Sequence, residues 1–128
     1  MSYRIAAGIL GAFYLIQGIN WIARPAAAAE ALGMPLLDGI GRSTQIGDMS
    51  SFFLTIGSLG LIGGLRSNPL WLHAAAGLLG TAAVVRTLAW LLHDAPLASV
   101  FIGVEIVSAT AFVLVGSRFG GASRGRTG

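Results

Sequence analysis

Four separated apolar runs, Ile5 to Ile22, Ile46 to Leu65, Leu70 to Leu92 and Leu97 to Val115, each approach the roughly 20 residues a helix needs to cross a bilayer. Inside hydrocarbon every backbone N–H and C=O must find its partner within the segment, so such runs fold as helices. Together they take up most of the 128 residues and leave little for a soluble domain. Charged residues make up 10% of the chain and hydrophobic ones 55%, against about 25% charged in soluble domains. The expected fold is all-α, an integral membrane four-helix bundle over residues 1–118 with helices at about 5–22, 46–65, 70–92 and 97–115. The Gly/Ser-rich residues 119–128 are expected to form a disordered tail.

The connections set the topology. "RSNP" and "HDAP" are so short that the second, third and fourth helices must form consecutive antiparallel hairpins. Pro69 and Pro96 stand where a new helix begins, a position that does not need their missing N–H. The first connection is longer, and its "RPAAAAEALG" predicts a short helix started by Pro25, stopped by Gly33 and lying on the membrane surface as connector or lid. The basic start and first apolar run resemble a signal peptide, but 18 apolar residues exceed the usual core of one, so a retained first helix is expected.

All eight basic residues are arginines, spread among positions that flank the apolar runs and one inside an apolar helix, so they read as topology signals and nucleic acid is not an expected partner. With alternating helices, Arg4, Arg66, Arg118, Arg124 and Arg126 share one side against Arg24 and Arg42 on the other. The positive-inside rule then places both termini in the cytoplasm. No cysteine is present, and His73 and His93 stand at opposite ends of one helix, so neither a metal site nor a cofactor is expected. Trp21, Trp71 and Trp90 lie near helix ends, as in an interfacial aromatic belt.

Arg86 interrupts the third run. Asp48 lies nineteen positions before Ser67 and Arg86 nineteen after it, so an antiparallel hairpin brings them to one depth. Glu105 reaches the same layer across the next hairpin, within about 3 Å at about 1.5 Å per residue. On the second helix Gln45, Asp48, Ser51, Thr55 and Ser58 recur at helical spacing, a polar stripe expected to face the bundle interior. Arg86, Trp90 and His93 share one side of the third helix, and Gln17 and Asn20 approach from the first. The candidate charge layer is therefore Asp48, Arg86 and Glu105, surrounded by Gln17, Asn20, Gln45, Trp90 and His93. An ionised side chain at this depth must pair, and arginine can take both oxygens of a carboxylate. Such a layer either clamps three helices or lines a ligand site. Gly57, Gly60 and Gly64, and Gly77 and Gly80, form small-residue strips for close helix approach, and Ala7 with Gly11 offers a dimer face.

"RPAAAAEALGMP", the small-residue second helix and "RTLAWLLHDAP" with Glu105 beyond it resemble a group of bacterial four-helix inner-membrane proteins of unknown function, distantly DoxX-like. The resemblance spans Tyr3 to Arg118 and implies a bundle in the bacterial inner membrane, with no catalytic residues to carry over. Small multidrug exporters are similar in size but use a first-helix glutamate, which this chain lacks. Dual-topology fluoride channels are faintly similar at "GDMSSFFLTIG", with Asp48 where their asparagine is expected.

The leading expectation is a non-enzymatic binding or accessory protein. Its partners would be the lipid bilayer, a membrane protein or a second copy of the chain, and a small amphipathic ligand. The alternative is a proton- or cation-coupled carrier, suggested by two acids competing for one arginine. An enzyme is the weakest reading, because His93 and Asp94 have no nucleophile or metal beside them.

Overall fold

The computed structural model describes residues 2–124, the last three as backbone alone, and these form five helices and no strand. Helix α1 spans Tyr3–Ala23, α2 Pro25–Ala31, α3 Gly39–Arg66, α4 Pro69–Leu92 and α5 Ser99–Arg124. Four of them, all but α2, are long and apolar enough to cross a membrane. The chain is thus a multi-pass, all-α bundle.

Local chemistry explains the breaks. The Ser2 side chain accepts from Arg4 N–H to start α1, and the Asn68 side chain accepts from Leu70 N–H to start α4. Pro25 opens α2, and Gly33, at φ +71°, ends it in a left-handed turn. Ser67 also takes a left-handed conformation, at φ 50°, which lets the chain reverse between α3 and α4 in two residues.

Two ends differ from expectation. Helix α3 begins at Gly39, seven residues before its apolar run, because that run marks the hydrocarbon and not the helix boundary. Helix α5 continues to Arg124 through most of the segment expected to be disordered. Phe119 packs against the buried core and so holds this extension to the bundle. Residues 125–128 of that expected tail lie outside the described residues.

The packing is organised as two close pairs, α1 on α3 and α4 on α5, with α3 and α4 also in contact. In the first pair backbones nearly touch. A Cβ at Gly57 would stand 2.5 Å from Leu15 N, and one at Gly11 would stand 2.7 Å from Leu61 N. Ala7 and Gly11 are buried in this contact and do not form an exposed dimer face. Gly77 and Gly80 meet nothing within 4 Å, so their strip is not used for packing. Tyr14, Ile56, Leu72, Leu79 and Phe112 fill the core. Trp21 is also buried, at 1% exposure beside α2, and is not a belt residue. Outward, Ile5, Ile9, Ile16 and Ile19 form an exposed apolar stripe on α1, as a lipid-facing helix requires.

Candidate functional site

Glycine packing fixes the rotation of α3 and decides which charges meet. Asp48 lies nine residues from Gly57, two and a half turns at about 3.6 residues per turn, and so faces away from α1. Its side chain is exposed and joins no ion pair among the described residues. Ser51 and Thr55 are exposed too, so of the expected polar stripe only Gln45 is buried and Ser58 half-buried. The Ser51 hydroxyl donates to Gly47 C=O in its own helix. Helix α3, with 28 residues, exceeds the roughly 20 needed to span, and Asp48 falls near one end of the spanning portion.

The expected three-charge layer is therefore one ion pair. Arg86 Nε donates to Glu105 Oε1 at 2.8 Å, and the guanidinium carbon lies 5.3 Å from the centre of the Phe101 ring. The Glu105 side chain is 9% exposed and that of Arg86 33%. Among the described residues no group hydrogen-bonds to Glu105 Oε2, although this oxygen is buried. One turn further along α5, Ser108 Oγ accepts from the Tyr14 hydroxyl at 2.8 Å and ties α5 to α1.

The pair lines a cavity of about 270 Å³. Phe13, Tyr14 and Gln17 come from α1, Phe52 and Phe53 from α3, Arg86 from α4, and Phe101, Val104 and Glu105 from α5. Ala31 and Leu32, at the end of α2, border it as well. The cavity is thus a largely aromatic chamber with Arg86, Glu105 and Gln17 as its polar lining and with Phe13 and Val104, both exposed, among its walls.

The remaining expected residues go elsewhere. Gln45 is buried but serves the α2–α3 connection: its amide nitrogen donates to Pro35 C=O at 3.1 Å and its oxygen accepts from Leu37 N–H at 2.9 Å. Asn20 Oδ1 accepts from Arg24 at 3.2 Å at the end of α1. Trp90 is 45% exposed and does not border the cavity. His93 ends α4, exposed, with its N–H on Ala89 C=O.

Sequence reasoning missed Tyr14 and the phenylalanines of α1 and α3. The available signal was the spacing of Tyr14 and Gln17, three apart on one helix face. Among the described residues no three of His, Asp and Glu gather as a metal site would require. Compared with known proteins, the chain matches no family model, no curated protein and no solved structure.

Proposed function

We propose that this protein is a non-enzymatic binding or accessory protein of the bacterial inner membrane, holding a small amphipathic molecule beside the Arg86–Glu105 pair. One observation carries the reading: the pair borders a cavity of about 270 Å³ whose other walls are largely aromatic and aliphatic. A pair serving only as a clamp would be surrounded by packed side chains, whereas here both Arg86 and Glu105 belong to the lining of an open cavity. The bacterial origin follows the resemblance to DoxX-like four-helix proteins. Cytoplasmic termini follow the excess of arginines at the ends of the bundle away from α2.

The test is native mass spectrometry of the protein extracted together with its surrounding lipid. A small molecule retained by the intact chain and lost in Arg86→Leu supports the binding role. A membrane protein or second copy retained in fixed ratio supports the accessory role. Finding neither overturns the reading.

A second reading, a proton- or cation-coupled carrier, is favoured by the ionisable side chain of Glu105 in the cavity lining. It requires that Glu105→Gln abolish a pH-gradient-dependent flux in proteoliposomes.

A further inference from the structure

We propose that the cavity takes an uncharged, ring-bearing lipophile whose polar end is a carbonyl, held by the free N–H groups of the Arg86 guanidinium. This rests on the binding role proposed above and names the ligand class for it.

The accessible polar groups set the head of the ligand. Of the side chains that line the cavity, only Tyr14, Gln17, Arg86 and Glu105 are polar. Two of these are already committed. Tyr14 is buried and gives its proton to Ser108 Oγ at 2.8 Å, while Glu105 accepts from Arg86 at Oε1 and has its Oε2 buried out of reach. Arg86 and Gln17 remain. Arg86 meets Glu105 through Nε alone, and among the described residues neither Nη nitrogen has a hydrogen-bond partner, although neither is buried. The same holds for both amide atoms of Gln17.

The open polar lining is therefore rich in donors. A carbonyl oxygen brings two lone pairs and no proton of its own, so an Nη N–H and the Gln17 amide can both donate to it. A ligand hydroxyl would bring a proton for which Gln17 Oε1 is the one open side-chain acceptor of the lining. Charge narrows the class further. Arg86 and Glu105 already offset each other at 2.8 Å, so a carboxylate or an ammonium would add an uncompensated charge to a largely apolar chamber. An uncharged carbonyl takes a charge-assisted hydrogen bond without that cost.

The remaining walls favour a ring. Phe13, Phe52, Phe53 and Phe101 surround one small chamber, and rings are favoured partners for rings in edge and offset contacts. Phe52 and Phe53 already meet edge-on, with centroids 5.4 Å apart. Phe101 covers one face of the guanidinium, whose carbon lies 5.3 Å from the ring centre, and this leaves the Nη edge for the ligand. At about 270 Å³ the cavity lies just below the usual range of ligand sites, roughly 300–1,000 Å³, which suits one ring with its carbonyl and not a two-chain lipid.

The experiment titrates the full chain, in dodecyl maltoside micelles that contain no carbonyl, into valerophenone isotope-labelled at its carbonyl carbon. The expected result is a saturable bound resonance, one per chain, downfield of the micelle-dissolved ketone. Pentylbenzene, of nearly the same shape without the oxygen, should displace it about tenfold more weakly than unlabelled valerophenone. In the double replacement Arg86→Leu with Glu105→Leu, which strands no charge, the downfield resonance should be lost. Gln17→Leu, which breaks no hydrogen bond of the fold, should weaken the ketone by roughly threefold and leave pentylbenzene unchanged. Equal affinity for ketone and hydrocarbon overturns the proposal, as does tighter binding of para-butylbenzoate or para-butylbenzylamine, and in each case the cavity stays a binding site. Displacement by phosphatidylcholine, whose ester carbonyls carry no ring, overturns the ring assignment. No saturable binding of any of these compounds overturns the carbonyl class. If the protein also retains no small molecule from its native membrane, the binding role falls with it.

Discussion

Arg86 Nε and Glu105 Oε1 meet at 2.8 Å across the α4–α5 hairpin, and this pair is the whole of the buried charge layer, because Asp48 stands on the exposed face of α3. Removing one member strands the other in a low-dielectric site. Arg86→Leu and Glu105→Leu should each destabilise the bundle by about 2 kcal/mol, below the usual range for fully buried pairs because part of Arg86 is exposed. The double replacement should recover most of that loss. Asp48→Asn should change stability by less than about 0.5 kcal/mol. Unfolding of the four variants in mixed micelles measures all of these, and a large loss for Asp48→Asn would restore the three-charge layer.

The two glycine strips predict opposite outcomes for one substitution. Gly57→Ala drives a methyl to 2.5 Å from Leu15 N, where backbone cannot yield, and should cost about 2 kcal/mol or more. Gly77→Ala meets open space and should be neutral, or stabilising by up to about 1 kcal/mol through helix propensity. Thermal unfolding of the two variants side by side distinguishes them. Equal losses would mean that the Gly77 face is covered by a partner in the membrane.

Gln45 should control the α2–α3 connection without contributing to the cavity. Gln45→Ala leaves Leu37 N–H and Pro35 C=O without their partner, a cost of about 1–3 kcal/mol concentrated in that connection. Hydrogen exchange at Leu37 should accelerate strongly, with little change at α4. Unchanged exchange there would show that other contacts hold the connection.

What the sequence made legible, and what it did not, divides along one physical line. Four spans, their order, the α2 start at Pro25 and the depth of Arg86 and Glu105 all follow from run length and from rise per residue, which are properties of single helices. Rotation is a property of helix pairs. The same Gly57, Gly60 and Gly64 that were legible as a packing strip also turn Asp48 outward, and only the α1 contact at Gly11 and Leu15 fixes that angle. Polar spacing alone favoured the wrong face, since Ser51 satisfies its hydroxyl within its own helix. The aromatic chamber was hidden for the same reason: Phe13, Phe52 and Phe101 come from three helices whose facing is set by packing.

Arg4 combines two roles that a substitution series can separate. Its Nε donates to Gly64 C=O at 3.2 Å and its Nη2 to Leu65 C=O at 2.8 Å, so a side chain of α1 caps the carbonyl end of α3. Those carbonyls have no partner within the helix, and the negative end of the helix dipole favours a cation beside them. Arg4→Ala should therefore destabilise the bundle by about 1 kcal/mol, and Arg4→Lys by less, since one ammonium keeps the charge but not the forked geometry. Membrane orientation should be unchanged in both, because Arg66 and Arg118 still mark that side. Unfolding measurements read the first role, and labelling of a cysteine introduced at Ser67 from each side of the membrane reads the second. An inverted orientation in Arg4→Ala, with stability intact, would make this arginine a topology determinant and not a cap.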